Sequence, residues 1–328
     1  MKELIDSVVY CLSAHYLINV TSLYQIFSGA DANAFIYKAL ADDHEKYFVK
    51  VKNESIQNKD IFILDFLKTA GISNLIFPIQ TKDGKQVQEC DGFSYLVYPY
   101  IEGQNGFCVP LNGASWVVLG KTLKQIHELK IPSNLKANIR KEEFSPTYRN
   151  IVRTFYKDPK LTMTSDVIAS NLYHFLLENE LLIQRLANCA EALAQKASLQ
   201  PLDFVLCHSD IHAGNILIDK NKTLYIVDWD QPMLAPKERD LMFIGAGVGN
   251  VWNDQDDITA FYQGYGLTDI NLTLLSYYRF ERIVEDIAEY IHELLIYPKE
   301  TSNKAELFNH FMKMFSPNGV VDIAFSTL

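Results

Sequence analysis

The pattern of the chain predicts an α+β protein built on a bilobal plan, with a small antiparallel-sheet N-lobe and a larger, mainly helical C-lobe. Its front third reads mostly as strands, and the remainder mostly as helices. A strand–loop–strand–strand segment from Phe204 to Asp228 interrupts the helical part. The junction falls at Tyr98-Pro-Tyr-Ile-Glu-Gly103, where Pro99 and Gly103 punctuate an apolar strand, so the lobes are expected at 1–101 and 102–328.

Each element has a local reason. Leu4, Val8, Leu12 and Tyr16 recur at helical spacing and predict an amphipathic opening helix. Val20 to Phe27, Ala34 to Ala39 and Tyr47 to Lys52 are rich in β-branched and aromatic residues and read as strands, separated by Ser28-Gly-Ala-Asp31 and Ala41-Asp-Asp-His44. A helix over Gln57 to Ala70 stops at Gly71, and short strands follow at Gln86 to Cys90 and Ser94 to Tyr98. Beyond Gly103, helical periods cover Ala114 to Leu129, Tyr148 to Phe155, Ile168 to Ala197 and Asn271 to Tyr297.

With 328 residues, 48% of them apolar and 21% charged, the chain has enough material for a sizeable core. A net charge of −10 without a basic run argues against a nucleic-acid surface, and suits a cationic small molecule. The five cysteines, Cys11, Cys90, Cys108, Cys189 and Cys207, are scattered and odd in number, as expected of reduced thiols in a cytoplasm. No apolar run is long enough to cross a bilayer, and the N-terminus does not read as a signal peptide, so no membrane partner is expected. The expected assembly is a monomer or weak dimer.

The chemistry concentrates in His208-Ser-Asp-Ile-His-Ala-Gly-Asn215, followed after an apolar run by Val227-Asp228-Trp229-Asp230. This is the layout of the catalytic loop and metal-binding aspartate of kinase-type phosphotransferases. Asp210 is the candidate base, a carboxylate placed to accept a hydrogen bond from an alcohol. Asn215 and Asp228 are the candidate Mg²⁺ ligands, because an amide oxygen and a carboxylate are hard donors. Asp230 reads as a further ligand or as a solvated carboxylate. His208 and His212 read as loop braces, since a Zn²⁺ or Fe site would need further imidazole or thiolate partners at useful spacing.

In the front lobe, Lys50 and Lys52 share one strand face, and periodicity does not choose which of them meets the nucleotide phosphates. Ser28, Asp31 and Asn33 lie in a turn that either folds over phosphates or is a plain hairpin. Tyr98, Tyr100 and Ile101 are candidate adenine neighbours, with sheet core as the competing reading. Glu281, Glu285, Glu289 and Glu293 recur at i,i+4, with Asp286 adjacent. A solvated acidic face is the commoner explanation of such a run. The sharper one is that Glu285 and Asp286 receive a substrate's ammonium groups.

These residues, with Tyr225-Ile-Val-Asp-Trp-Asp230 and Glu238-Arg-Asp240, resemble the motifs of the aminoglycoside phosphotransferase family, and most closely its spectinomycin-phosphorylating members. The likeness extends through Phe48-Val-Lys50, Asn105-Gly-Phe107, Ile126-His-Glu128, Gly249-Asn-Val-Trp252 and Arg282-Ile-Val-Glu-Asp286, and so covers nearly the whole chain. It implies a protein-kinase-like fold, ATP and Mg²⁺ as cofactors, and Lys50 as the phosphate-binding lysine. It also implies a structural role for Arg239 and Asp240 behind the loop, and Trp252 beside the substrate. Two departures stand out. Ser209 replaces the usual glycine, as in the spectinomycin-phosphorylating members, and no acidic partner for the lysine is evident on the following helix, where Asp60 and Asp65 are the candidates. The implied substrate is a cationic aminocyclitol of the spectinomycin type, phosphorylated on its 9-hydroxyl. The alternatives are a kinase of the same fold acting on choline, homoserine or methylthioribose, and a non-catalytic nucleotide-binding protein.

Overall fold

The computed structural model describes residues 2–26, 34–53, 59–157, 166–297 and 304–328, with only the backbone described at residues 2 and 59–61. In chain order the elements begin with α1 (Lys2–Tyr16), β1 (Val20–Ile26), β2 (Ala34–Ala41), β3 (Lys46–Lys52), α2 (Lys59–Thr69), β4 (Val87–Cys90), β5 (Phe93–Pro99) and β6 (Gly103–Asn105). Then come α3 (Gly113–His127), α4 (Ser133–Lys136), β7 (Arg140–Lys141), α5 (Thr147–Lys157), α6 (Val167–Glu178) and α7 (Glu180–Ser198). The motif segment holds β8 (Val205–Cys207), β9 (Ile216–Asp219), β10 (Leu224–Ile226) and β11 (Met233–Ala235). The chain continues with α8 (Glu238–Leu241), α9 (Gln255–Tyr265), α10 (Leu272–Ile291), α11 (Lys304–Met314) and α12 (Val320–Ser326).

The chain divides into two compact units. The first comprises Met1–Gln104, Ile131–Ile139 and Ile216–Pro232, and the second comprises Asn105–Lys130, Arg140–Asn215 and Met233–Leu328. In the first unit, a five-stranded sheet of order β1-β2-β3-β5-β4 is antiparallel throughout. Strand alternation sends Tyr37, Ala39 and Ala41 of β2, Val49 and Val51 of β3, and Tyr95 and Val97 of β5 into one core. The apolar stripe of α1 (Val8, Cys11, Leu12 and Tyr16) closes that core, which accounts for the helical spacing at the N-terminus. The segment carrying Asp228 is tied into this unit by a parallel bridge from Leu75 to Ile226 and by the bond from Asn74 Nδ2 to the Leu224 carbonyl at 2.9 Å.

The second unit is helical around α10, whose Leu274, Tyr277, Phe280, Val284, Ile287 and Ile291 are buried. Helices α3 and α9 approach backbone to backbone. A Cβ at Gly120 would lie 2.2 Å from the Phe261 carbonyl oxygen, and one at Gly264 would lie 2.0 Å from that of Val117. The segment read as one helix over Ile168 to Ala197 is two, because Asn179 (ψ 17) leaves the helical path between α6 and α7. Helices α9, α11 and α12, and strand β11, were not expected from periodicity. No helix among the described residues is long and apolar enough to cross a membrane.

Candidate active site

The motif loop leaves β8 at Cys207 and turns at once. Ser209 has φ 74, a left-handed backbone that glycine adopts at little cost, and that explains the glycine usual at this position. Here a buried carboxylate holds the turn. Asp240 of α8, fully buried, accepts the backbone N–H groups of His208 at 2.9 Å and Ser209 at 2.7 Å. His127 Nε2 lies 3.0 Å from Asp240 Oδ2, and its Nδ1 lies 2.8 Å from the Tyr265 hydroxyl. Burial alone would raise the pKa of Asp240, but the bond from His127 and the donors on the loop hold it below the usual carboxylate range.

Asp210 follows this turn with its carboxylate partly exposed. Its own N–H is donated to His208 Nδ1 at 3.3 Å, so His208 braces the loop as expected. Arg282 of α10 places Nη1 2.6 Å from Asp210 Oδ1. On the other oxygen, His212 Nε2 stands 3.5 Å from Oδ2. His212 Nδ1 accepts the Gly214 N–H at 2.9 Å, which puts the ring proton on Nε2, facing the carboxylate. Partial burial would push the Asp210 carboxyl up, but Arg282 and His212 outweigh it and hold the pKa far below the usual range. Asn215 donates Nδ2 to the Asp210 carbonyl at 2.8 Å, leaving its Oδ1 as an acceptor of the hard-oxygen kind.

Asp228 belongs to the first unit, where β10 ends in a residue of φ 64. Lys50 reaches two carboxylates there, Asp230 at 2.6 Å and Asp228 at 3.5 Å. Lys52 reaches Asp230 at 2.6 Å, so both lysines do point to one face. Lys50 is the more buried of the two, at 8% exposure. Burial raises the pKa of Asp230, but the two ammonium groups outweigh it and lower the carboxyl below its ordinary range. Asp65 of α2 accepts from Gln86, and the side chain of Asp60 lies outside the described residues.

Ser28, Asp31 and Asn33 lie outside the described residues. Tyr98 faces Phe48 across the β3–β5 ladder, ring centroids 6.2 Å apart, and its pKa is raised by burial and by Asp230 and Asp228. Tyr100 lies beneath the Lys38 ammonium at 4.2 Å, and Ile101 lines a groove with Pro99, Ile79 and Tyr225. Trp252 is buried edge-on against Trp116 at 4.9 Å. The acidic run on α10 is not a plain solvated face. Glu281 is buried and paired with Arg149, Glu285 lies 3.8 Å from Arg239, and Asp286 lies 2.8 Å from Arg282. Glu289 is exposed. Burial, opposed by Arg282 and reinforced by Glu285, pushes Asp286 up to about 6.

Sequence reading missed the part played by Arg282. Its contact with Asp210 spans 72 residues of chain, a distance over which no local spacing carries a signal. It also missed Phe107, whose exposed ring stacks on His212 at 5.6 Å, although Asn105-Gly-Phe107 stood among the resembling segments.

The fold and these side chains define a phosphotransferase. The phosphotransferase enzyme family model matches residues 28–273, and the chain belongs to that family. Among solved structures it is similar to spectinomycin phosphotransferase APH(9)-Ia in complex with ADP and spectinomycin, with 44% identity, TM-score 0.91 and 98% of each chain covered. The AMP-bound form of that enzyme gives 42% identity and TM-score 0.88, again over 98% of both chains. Choline kinase LicA from Streptococcus pneumoniae shares the fold at 15% identity and TM-score 0.58, over 99% of both chains. Protein StrN of Streptomyces griseus is 23% identical over 60% of this chain, and the match spans 62% of StrN.

Proposed function

We propose that the protein transfers the γ-phosphoryl group of ATP to a hydroxyl of a cationic aminocyclitol, with spectinomycin and its 9-hydroxyl as the acceptor. What carries this reading is the conjunction of a braced carboxylate on a kinase-type loop with likeness to a spectinomycin phosphotransferase over 98% of the chain. The acceptor oxygen bonds to the γ-phosphorus while the bond from that phosphorus to the β–γ bridging oxygen breaks, releasing ADP. Asp210 accepts a hydrogen bond from the acceptor hydroxyl, aims its lone pair, and takes up the proton as the new P–O bond forms. With its pKa held low by Arg282, Asp210 acts mainly by orientation, in keeping with a loose transition state that asks little of a base.

The donor chemistry fits Mg²⁺. Asn215 offers an amide oxygen and Asp228 a half-exposed carboxylate, each a hard ligand of the kind Mg²⁺ takes. When bound with the nucleotide, the ion neutralises phosphate charge. In this reading Lys50 meets the α- and β-phosphates, and Tyr98, Tyr100 and Ile101 border the adenine. Glu285, Asp286 and Trp252 are assigned to the acceptor side. A cytoplasmic site of action fits the need for ATP and five cysteines that are all free.

A coupled ADP-release assay with Mg²⁺-ATP tests the proposal against spectinomycin, aminoglycosides, choline and simple sugars. Spectinomycin-dependent turnover is expected, falling at least about a thousandfold in Asp210→Ala. Turnover with choline or a sugar but not spectinomycin would replace the acceptor. ATP binding without turnover on any acceptor would replace the enzyme with a nucleotide-binding protein.

A further inference from the structure

Arg282 is the cation nearest the catalytic carboxylate among the described residues, and its own setting is built. Its Nη1 lies 2.6 Å from Asp210 Oδ1, and its Nε lies 2.8 Å from Asp286 Oδ1, one helical turn along α10. The guanidinium carbon stands 5.8 Å from the ring centre of Phe243, a fully buried residue. That same ring packs 6.3 Å from His212, which faces the second oxygen of Asp210. One apolar floor therefore supports both groups that flank the carboxylate. A guanidinium is a rigid planar fork, so the charge of Asp286 beside its Nε edge, an ion pair without an aligned hydrogen bond, biases the direction in which Nη1 projects toward Asp210. An ammonium on a flexible stem would supply the charge without the direction.

We propose that Arg282, anchored by Asp286 and seated on Phe243, is a positioning residue that fixes the rotamer of Asp210 for the acceptor hydroxyl. The proposal rests on the assignment of Asp210 as the group that receives that hydroxyl. Without the bracket, the Asp210 carboxylate would rotate about χ1 and χ2 among solvent-accessible orientations, because its side chain is 38% exposed. The bracket also explains why Asp286 remains on α10 despite Glu285 and Asp210 nearby. It neutralises the second side of a cation that Asp210 alone would satisfy only in part.

The test compares Arg282→Lys, Arg282→Gln and Asp286→Asn with the parent enzyme and with Asp210→Ala. All are assayed with spectinomycin and Mg²⁺-ATP after melting curves and ATP titrations confirm a folded protein. Arg282→Lys keeps the charge and loses the fork, and about a 10- to 100-fold fall in kcat is expected, with the KM for ATP within about threefold of the parent. Asp286→Asn leaves the arginine in place without its anchor, and a fall of about tenfold in kcat at saturating spectinomycin is expected, a lost acceptor contact being read separately as a rise in the KM for spectinomycin. If Arg282→Gln fails to fold, these two milder variants decide the matter. Parental kcat in both folded variants, with Asp210→Ala inactive, would overturn the positioning role and leave the proposed function intact. Losses in kcat matched by equal rises in the KM for ATP would overturn it too, as the sign of general disruption. Undiminished turnover in Asp210→Ala would instead remove the assignment on which both rest.

Discussion

The left-handed turn at Ser209 shows how a single position couples strain to function. Its φ of 74 would cost an ordinary L-residue about 1–2 kcal/mol, and the two N–H bonds to Asp240 are what hold it there. Serine bears this backbone at a modest cost, whereas a β-branched side chain does not. Ser209→Gly is therefore expected to alter unfolding free energy by less than about 1 kcal/mol and to leave kcat near the parent, since glycine removes strain but loosens the unfolded chain. Ser209→Val should lose about 2 kcal/mol or more, and kcat should fall with it as the next residue, Asp210, is displaced. Urea denaturation and steady-state rates check both, and equal behaviour of the two variants would show that the turn is not strained. Asp210 and Asn215 stood out in the sequence as candidates because a short spacing ties them to one loop, and Asp228 because it ends the apolar run that follows. Arg282 did not, because only the folded chain carries α10 back to that loop.

Helix α10 works as a polar spine as well as an apolar core. Arg149 of α5 is buried and bonds three ways, to Glu281 of α10, to Glu191 of α7 at 3.0 Å, and to the Phe144 carbonyl at 2.9 Å. Burial, against the pull of Arg149, pushes Glu281 up to about 7 from an ordinary 4.5. The sign follows from proton counting. A carboxyl with a raised folded pKa holds its proton more tightly in the folded state than in the unfolded one. Its contribution is full below the unfolded value of 4.5 and is lost as pH rises through about 7. The stability of the parent relative to Glu281→Gln should accordingly decline between about pH 5 and about pH 8, by an amount on the order of 2 kcal/mol. Parallel stability–pH curves for the two proteins would reject the assignment. At this scale the strands of the first sheet were readable because alternation and β-branched content agree there. Helix α9 was not, since its core contribution rests on Phe261 and Tyr265, a stripe too thin to set a period. The acidic run on α10 misled for a related reason. Its i,i+4 spacing looks the same whether the face meets water or three arginines from α5, α8 and α10 itself.

For the molecule as a whole, the central electrostatic question is how a chain of net charge −10 receives a polyanion such as ATP. Lysine alone does not supply the answer. Among the described residues, Lys50 and Lys52 stand against Asp228 and Asp230, so carboxylates already meet charge that a bare nucleotide would need. Under the proposed function, Mg²⁺ held by Asp228 would add positive charge beside the phosphates, while Lys50 keeps its closer bond to Asp230. Stabilisation by ATP should therefore depend on the metal. With Mg²⁺-ATP at a hundredfold excess over its Kd, the apparent stability should rise by about 2.7 kcal/mol, visible as a shift of the melting temperature. ATP with excess EDTA should give little of that shift. Asp228→Ala and Asn215→Ala should lose most of the metal-dependent part while melting near the parent temperature without ligand. Calorimetric scans of the three proteins with ATP, with Mg²⁺-ATP and with ATP plus EDTA separate these contributions. An EDTA-resistant shift as large as that with Mg²⁺ would mean that the nucleotide is held by the chain's own cations, and the charge argument built on Asp228 would fail.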